Sequence, residues 1–425
     1  MSVQILPGTQ VEVVASDRAA ELSVTGVVAM PLALDWGDKL TIINQGDSTK
    51  VSLGYDIADE KLKCVNEVMN GAGKLYLYRT NNSGVKASGT LATGITTTAK
   101  YSGVRGNDIS VVIAASGANW KITTMLGTTE MDSQIVSDAS KFVANDFIGI
   151  TGTGTLTAAT VKLTGGTNVD DTGAMDAFKA EMEKHEFNVL TYTGTDSAVV
   201  SDLISWTDKQ RQKNNRIQFV EQPVASDDPA VYHSTSPGTT ENYSLTAAEA
   251  CATVAGILAK QGVAGSLTHY NSITGWTDAE HLTYEQQEAR TQVGELLMIM
   301  LYGVPTVLYD INSLVTFTDT QPKDFHKGLI MRTLDKYAVD MQKLLDTKCI
   351  GKIRRSVNGK SQIKAMAAKM TTDSYLKPGY IENFTADDIT IANGSDTDDI
   401  AVDAWIQVVD TVDKIHLRVI SQAAA

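Results

Sequence analysis

The most regular alternation of hydrophobic and polar residues lies close to the C-terminus of the chain. Ile415, Leu417 and Val419 would share one face of an extended segment, with lysine, histidine and arginine at the positions beside them. This period-two pattern is typical of a half-buried strand. A similar short pattern near the N-terminus includes Val11 and Val13. Because the open edge of a strand invites a partner, the two segments predict strand-like arms that are exchanged between subunits.

The pattern between these arms changes along the chain. Residues 23–86 contain apolar runs that predict strands, with one short helix ending near Gly71. After residue 167, helical and strand-like patterns alternate, which favours a largely parallel sheet with helices on its faces. Asp196 and Thr246 stand where helix N-caps are expected.

Two later helices carry signals of their own. Thr283 and Gln286 have the spacing of a capping box, and the helix that they begin is predicted to run through residues 283–303. A second helix is predicted over residues 327–348, because its apolar residues recur at helical spacing. That apolar stripe consists of Ile330, Leu334, Tyr337, Ala338, Met341, Leu344 and Leu345. The basic residues expected on its opposite side are Arg332, Lys336 and Lys343.

Residues 87–166 differ in composition from the segments on either side. Threonine, glycine, serine and valine dominate, and short alternating runs are separated by turn residues about every ten positions. This predicts an all-β module, either a sandwich or a small barrel, inserted between two segments of α/β character.

The fold class predicted from these patterns is a mixed α/β core with helices flanking a sheet, an inserted all-β domain and extended terminal arms. The predicted divisions are an N-terminal arm (1–22), the first part of the core (23–86), the inserted domain (87–166), the second part of the core (167–410) and a C-terminal arm (411–425). Within the second part of the core, residues 327–370 form a basic helical segment.

Composition and charge exclude several classes of function. The chain has 425 residues, of which 43% are hydrophobic and 20% charged, and a net charge of −14. This acidic balance argues against general nucleic-acid binding. We expect no membrane insertion, because no segment approaches the roughly 20 apolar residues of a membrane span. Nor does the N-terminus resemble a secretory signal. Cys64, Cys251 and Cys349 are far apart, and we expect buried free thiols.

The charge is unevenly distributed. Residues 323–369 contain 12 lysines and arginines against 4 acidic residues, whereas residues 371–425 contain 10 acidic residues against 3 basic ones. A basic stretch in an acidic protein suggests a complementary surface on a protein partner. A solvated helix face explains the same pattern equally well.

No group of residues in the sequence has the spacing of a catalytic or metal site. The six histidines lack metal-ligand spacing, and the glycine pair in residues 163–168 is better explained as a turn than as a phosphate loop. We therefore expect no catalytic residues, no metal and no cofactor. Two other classes stay open: an α/β enzyme or ligand-binding protein with a β insertion, and a secreted adhesin or surface-array protein. The lack of a signal peptide and the free thiols count against the second.

Seven segments spread over nearly the whole chain carry a resemblance to a known family: "LPGTQVEVV", "GVVAMPLALDWG", "AKYSGVRGNDISVVI", "LTGGTNV", "GSLTHYNSITG", "DFHKGLIMRTLDKYAVDMQKLLDTKCIGKI" and "AVDAWIQVVDTVDKIHLRVI". Together they resemble the contractile tail sheath proteins of bacterial viruses and R-type bacteriocins, particularly those of Gram-positive hosts. Their order along the chain is that of the family.

The resemblance implies a structural subunit without enzymatic activity or cofactor. Sheath subunits of this family stack as hexameric rings around an inner tube, exchange terminal strands and contract to drive the tube through a bacterial envelope. The implied partners are other copies of the chain, the inner tube protein, and the baseplate and tail terminator proteins. Assembly would take place in the cytoplasm of the bacterial host, before release with a virion tail or a bacteriocin particle. The sheath of another contractile injection machine is the alternative within this class.

Together, the charge pattern and the resemblance suggest which residues meet these partners. We expect Lys343, Lys348, Lys352, Arg354 and Arg355 to face an acidic inner tube. The exchanged arms would use Val11 and Val13 at one end, and Ile415, Leu417 and Val419 at the other. Flexible links are expected at residues 15–20 and 410–413.

Overall fold

The computed structural model describes residues 26–421. The predicted N-terminal arm, with Val11 and Val13, and the first predicted link therefore lie outside the described residues. The described residues divide into two compact units, one of residues 337–407 and the other of residues 26–336 with 408–421.

The helices and strands follow one another in this order. The first part of the chain contains β1 (Val27–Leu32), β2 (Leu40–Asn44), α1 (Lys63–Met69) and β3 (Lys74–Arg79). Seven strands come next: β4 (Lys86–Ala92), β5 (Ile95–Ser102), β6 (Ile109–Ser116), β7 (Asn119–Leu126), β8 (Thr129–Val136), β9 (Ile148–Gly152) and β10 (Ala159–Lys162). Helices and strands then alternate: α2 (Ala174–Met182), β11 (Val189–Thr191), α3 (Ser197–Gln212), β12 (Gln218–Glu221), β13 (Val231–Ser234), β14 (Gly238–Thr240), β15 (Ser244–Leu245), α4 (Ala247–Gln261), β16 (Trp276–Ala279), α5 (Tyr284–Gln292), β17 (Glu295–Leu296), β18 (Met298–Leu301) and β19 (Val304–Val307). The last elements are α6 (Gly328–Lys348), α7 (Val357–Thr371), β20 (Ile381–Glu382), β21 (Ile389–Asn393), β22 (Ile400–Ala404) and β23 (Gln407–Val408).

A seven-stranded sheet organises the larger unit. Its strand order is β17-β13-β12-β11-β1-β3-β2, and every neighbouring pair is parallel except β2 with β3. Strand β1 is buried on both faces, because its side chains enter two different apolar cores. Val28 and Met30 pack with residues of α1 and α4, whereas Ala29 packs on the other face with Phe178 of α2 and Leu203 of α3. The prediction of a mixed α/β fold with helices flanking a sheet is confirmed.

Close contact between α1 and α4 depends on two glycines. A Cβ atom added to Gly71 would lie 2.2 Å from the carbonyl oxygen of Gly256, and one added to Gly256 would lie 2.7 Å from the oxygen of Val68. The backbones therefore approach too closely for any side chain at either position. Gly71 does follow the end of α1 as predicted, and its lack of a side chain also permits this close packing.

The predicted helix N-caps are confirmed. The Asp196 carboxylate accepts hydrogen bonds from the first turn of α3, and Thr246 begins α4 with a capping box that Glu249 completes. Thr283 and Gln286 form the predicted capping box of α5. The predicted length of α5 is wrong, however. The helix ends at Gln292, and the apolar run after it forms β17 and the β18–β19 hairpin.

Residues 86–162 form two antiparallel sheets, β4-β5-β9 and β10-β6-β7-β8. Side chains from both sheets share one apolar core. Trp36, which precedes this region in the chain, is 1% exposed and belongs to the same core. Its ring makes an edge contact with Tyr101 at 5.1 Å and stacks on Phe147 at 6.1 Å. Aromatic contacts of this kind add roughly 0.5–1.5 kcal/mol beyond their buried area.

The unit of residues 337–407 has its own buried centre. Tyr337 on α6 meets Tyr375 edge-on at 5.1 Å and shares a hydrogen bond of 3.0 Å with Thr371 at the end of α7. The Tyr375 hydroxyl donates to Asp340 at 2.6 Å. The β21–β22 hairpin follows, and Ile389 at its start is fully buried. The predicted apolar positions Tyr337, Met341 and Leu344 are buried in this half of α6.

Candidate interaction surfaces

The predicted C-terminal arm carries several highly exposed apolar residues close together in the chain. Ile415, Leu417 and Val419 are 83%, 84% and 83% exposed, and residues 409–421 have neither helix nor strand structure. A strand is held by hydrogen bonds to a neighbouring strand. Residues 26–408 supply no such neighbour here, so the predicted strand is not formed among the described residues.

This exposure is informative because it combines with the alternating pattern. Apolar side chains gain roughly 25 cal/mol per Å² when they leave water. Exposed apolar residues that recur along one face of a segment are therefore typical of a segment that binds another surface. In a strand, Ile415, Leu417 and Val419 would lie on one side and could be buried together, while the basic residues stayed in solvent.

The segment that connects this arm to the body, where a flexible link is expected from the sequence, forms ion pairs with the larger unit. The ammonium group of Lys327 forms ion pairs with Asp410, at 3.2 Å, and with Asp413. The Asp413 side chain is only 8% exposed. Sequence patterns gave no indication of this contact, because Lys327 is distant in the chain and two aspartates three positions apart are common in loops.

The five residues expected to face an inner tube fall into two groups. Lys352, Arg354 and Arg355 are exposed in the loop between α6 and α7. Two apolar residues in and next to this loop are also exposed, Ile350 by 68% and Val357 by 82%. The loop therefore presents cations together with apolar surface, which we call the basic loop (residues 350–357).

Lys343 and Lys348, by contrast, lie on α6 and are half-buried. They are therefore less available to a second protein than the exposed cations of the basic loop.

Part of the basic stretch is compensated by the acidic segment that follows it. Lys364 of α7 forms an ion pair of 3.1 Å with Asp387. Lys369 pairs with Asp373 at 2.6 Å. Arg355 donates to the carbonyl oxygen of Thr397, in the turn of the β21–β22 hairpin, at 2.6 Å. Some of the charge complementarity expected with a partner is thus satisfied inside the subunit.

Arg332, expected on the polar side of α6, is buried instead. Its side chain is 5% exposed and forms a two-pronged ion pair with Asp310, at 2.8 and 3.0 Å. The remaining N–H groups donate to the Tyr232 hydroxyl and to the carbonyl oxygens of Gly262 and Gly265, at 2.7–2.9 Å. Burial alone would lower the pKa of this guanidinium, but the facing Asp310 carboxylate outweighs it and the pKa is raised. All five donors are satisfied.

A second buried pair lies on the same half of α6. Arg211 of α3 donates two hydrogen bonds of 2.8 Å to the Asp335 carboxylate. Asp208 and Asp228 face one another near this arginine. Burial, together with the like charge of Asp228, raises the pKa of Asp208 to about 6. Sequence reasoning missed these pairs, since helical spacing alone places Arg332 on a polar face.

The cysteines and one groove are further chemistry-bearing features of the described part of the chain. The predicted buried free thiols are confirmed for Cys64, Cys251 and Cys349. Burial raises the pKa of the Cys64 thiol to about 12, so it is protonated and unreactive at neutral pH. An open groove of 670 Å³ in the β-rich region contains the ion pair of Lys100 with Asp146. It also contains the Asp132 carboxylate, which accepts a hydrogen bond from the side-chain amide of Asn145.

Two structural properties bear on partners. Across residues 26–421, no three histidine, cysteine or acidic side chains are placed so that they could hold a metal ion. In the same range, none of the helices is both long and apolar enough to span a bilayer.

Comparison with known families gives matches along most of the chain. Residues 25–80 match the N-terminal region of domain III of a tail sheath protein. Residues 82–170 match the β-sandwich domain of phage tail sheath proteins, and residues 164–313 match their central domain. The three matches follow one another in chain order.

Individual relatives extend this similarity to both ends. The chain is 30% identical to the sheath tail protein of Desulfitobacterium hafniense, whose crystal structure superposes with a TM-score of 0.86 over 97% of this chain and 99% of that one. It is 29% identical to the phage-like element PBSX protein XkdK of Bacillus subtilis, over 95% of this chain and 94% of the relative. The contracted helical sheath of the anti-feeding prophage is 14% identical and shares the fold, with a TM-score of 0.57 over 99% of this chain and 100% of that one.

Proposed function

The chain belongs to the contractile tail sheath protein family, whose members are structural proteins and not enzymes, and from this premise we propose that it polymerises as stacked hexameric rings around an inner tube. Contraction of that polymer would drive the tube through a bacterial envelope. The exposed alternating segment at residues 414–421 is the observation that carries the proposal. A subunit with an unpaired strand-forming segment is suited to a polymer and poorly suited to a monomeric state.

The proposed link between subunits is strand addition by the terminal arms. Ile415, Leu417 and Val419 would enter an apolar surface of a neighbouring subunit while their backbone extends a sheet there. Each added hydrogen bond contributes roughly 0.5–1.5 kcal/mol net. Several such bonds hold neighbours together, yet leave the bodies of the subunits free to rotate during contraction. Val11 and Val13 are proposed to act in the same way at the N-terminal end.

The proposed contact with the inner tube is made by the basic loop. Lys352, Arg354 and Arg355 are exposed and carry their charge on a short segment with two exposed apolar neighbours. Lys343 and Lys348 remain part of the proposed surface, but their partial burial makes them secondary contributors. Exposed ion pairs are worth about 0–1 kcal/mol each, which suits a contact that must form during assembly and break during contraction.

The regions of the chain would take separate parts in this polymer. We propose that residues 87–166 form an inserted domain on the outer side of the sheath; the apolar core shared by its two sheets, which Trp36 joins, supports a separate domain. The core domain would then be made of residues 23–86 and 167–410, with the basic segment of 327–370 toward the tube. Arms of residues 1–22 and 411–425 would reach neighbouring subunits.

The remaining partners and the setting follow from the same proposal. Baseplate proteins would trigger contraction at one end of the sheath, and a terminator protein would limit its length at the other. Subunits would assemble in the host cytoplasm and leave it as part of a virion tail or a bacteriocin. The fold alone, shared with an anti-feeding prophage sheath, also suits another contractile injection machine.

The experiment that tests the function is electron microscopy of the purified protein with and without its arm. The full chain at high concentration is expected to form hollow, cross-striated cylinders of uniform diameter. A variant that ends at Asp413 keeps the aspartates bound to Lys327 and should fold but stay monomeric. Cylinders of normal length from this variant would rule out strand addition at the C-terminus. Small particles alone from both chains, even with the tube protein present, would argue against a sheath.

A further inference from the structure

The connection between the body and the C-terminal arm is an ordered ion-pair site. The Lys327 ammonium group pairs with Asp410, at 3.2 Å, and with Asp413, and it lies 4.6 Å from the centre of the Tyr309 ring. Only 15% of the Lys327 side chain is exposed, against 28% for Asp410 and 8% for Asp413. A cation shared by two carboxylates and an aromatic face is held more firmly than one in a single surface pair.

The residues between the two aspartates complete this site. Asp410 accepts a hydrogen bond of 2.8 Å from the backbone N–H of Thr411, and Asp413 accepts one of 3.0 Å from the Thr411 hydroxyl. One oxygen of each carboxylate is therefore used inside the turn, and the other faces Lys327. Val412, which lies between them, is 80% exposed. The turn is thus organised around the lysine and owes little to apolar packing.

Lys327 is itself next to a closely packed, hydrogen-bonded part of the larger unit. The residue after it, Gly328, donates its backbone N–H to the carbonyl oxygen of Asp310 at 3.0 Å. A Cβ atom at Gly328 would lie 2.0 Å from an Asp310 carboxylate oxygen and 2.6 Å from the Tyr232 hydroxyl. The ion pair of Arg332 with Asp310 thus fixes the start of α6. Lys327, at this start, holds the turn of residues 410–413 in place through its ion pairs.

The burial of the chain changes abruptly after Asp413. Ile415 and Leu417 are more than four-fifths exposed, whereas the Asp413 carboxylate is almost fully covered. We propose that Lys327 is a positioning residue for assembly: it fixes the root of the C-terminal arm at residues 410–413, so that the arm leaves the subunit in one set direction. This inference rests on the proposed strand addition, and it places the mobile part of the link after Asp413.

The expected benefit is preorganisation. A strand arm with a fixed root searches a small volume for its acceptor, whereas a loosely attached arm loses more conformational entropy on docking. Lys327 would then affect how fast and how regularly subunits join, with little effect on the folding of each subunit. It differs in this from the arm residues themselves, which would make the contact.

The test compares Lys327→Met with Lys323→Met, which removes the same charge from an exposed position four residues earlier. Hydrogen exchange of the full-length subunits should become faster at residues 410–413 in Lys327→Met alone. Polymer formation by Lys327→Met should be about tenfold slower, or give cylinders of irregular diameter, because the arm is no longer preorganised. Lys327→Arg keeps the charge and should restore both properties. The double variant Asp410→Asn/Asp413→Asn removes the site from the other side and should behave like Lys327→Met.

The outcomes separate this inference from the proposed function. Cylinders that form from Lys327→Met as fast and as regularly as from Lys323→Met would overturn the positioning role, as would unchanged exchange at residues 410–413. If Lys327→Met does not fold, the double aspartate variant decides by the same measurements. If the chain that ends at Asp413 polymerises normally, strand addition fails instead, and the exchange data alone then judge whether Lys327 orders the turn.

Discussion

The two ends of the α6 region use positive charge in opposite ways. At its start, Arg332 of α6 is buried and bound to Asp310 by two-pronged hydrogen bonds, and Asp335 of α6 is bound in the same way by Arg211 of α3. In the basic loop after its end, cations of the same stretch of sequence are exposed. Removing a buried charge's partner leaves a strongly unfavourable group in the interior, whereas an exposed cation is solvated whether or not it has a partner. The first set therefore acts on folding, and the second is available for assembly.

The comparison also shows why net charge along the sequence was a poor guide to surface charge. The basic stretch of residues 323–369 carries a net charge of +8. Arg332 in this stretch is buried, while Lys364 and Lys369 are paired with acidic residues of the same unit. What remains for a partner is concentrated in the basic loop. A short exposed cluster gives a more specific contact than a uniformly basic helix would.

The largest effect is expected from breaking the buried pair. Arg332→Met should lower the free energy of unfolding by about 3–5 kcal/mol, because the Asp310 carboxylate is left buried without its cation. Denaturant unfolding followed by circular dichroism measures this change. The double variant Arg332→Met/Asp310→Leu should recover part of the loss, since it removes both charges. An Arg332→Met protein as stable as the wild type would contradict the structural role assigned to this pair.

The exposed set should behave in the opposite way. Lys352→Glu, Arg354→Glu and Arg355→Glu together should abolish assembly on the inner tube, yet change the free energy of unfolding by only about 0.5 kcal/mol per site. Co-assembly with the tube protein, followed by electron microscopy, measures the first effect. A matched control reverses the same number of charges at Lys121, Lys141 and Lys162, exposed lysines of the β-rich region. Normal sheathed tubes from the basic-loop variant would exclude a tube contact there.

The sequence predicted the elements that depend on local signals. Helix α6 was expected at residues 327–348 and spans Gly328–Lys348, because its apolar spacing and the following Gly351 are local features. The capping box of Thr283 with Gln286 was predicted for the same reason. The length of α5 was not, because an apolar run fits a helix or a strand equally well. Gly294, with φ +84°, ends the helical path, and β17 then pairs with the distant β13.

The surfaces were predictable only in part. The exposed arm followed from alternation at Ile415, Leu417 and Val419, although the strand itself has no partner among residues 26–421. The ion pairs of Arg332 and Lys327 join residues far apart in sequence, and nothing in local spacing specifies them. Contacts of this kind depend on which strand ends meet, so they become visible only when the fold is known.

A smaller effect is expected from the titration of Asp208, which lies near the buried pair of Arg211 with Asp335. Asp208 has a pKa of about 6 in the folded protein, above the ordinary value of 3.8. As the pH falls from about 6 to 4, the folded state takes up this proton before the unfolded chain does. The contribution of Asp208 to the free energy of unfolding therefore rises as the pH falls through that window. Asp208→Asn should remove this contribution, which is roughly 1 kcal/mol or less after solvent screening. The measurement is the difference in unfolding free energy between wild type and variant from pH 4 to 7. A constant difference would show that Asp208 does not titrate as described.

The smallest effect should come from an exposed pair that stays within the subunit. Asp387 is 98% exposed in its ion pair with Lys364, at 3.1 Å, so solvent and salt screen most of the attraction. Asp387→Asn should therefore change the free energy of unfolding by only about 0–1 kcal/mol, and any change should vanish at high salt. It also frees a cation of α7 without touching the basic loop. If tube assembly becomes tighter in this variant, the tube-facing surface extends from the basic loop along α7. If assembly is unchanged in this variant while the basic-loop reversal abolishes it, the contact is limited to the loop. Individual charged residues of this stretch can then be assigned either to folding or to assembly.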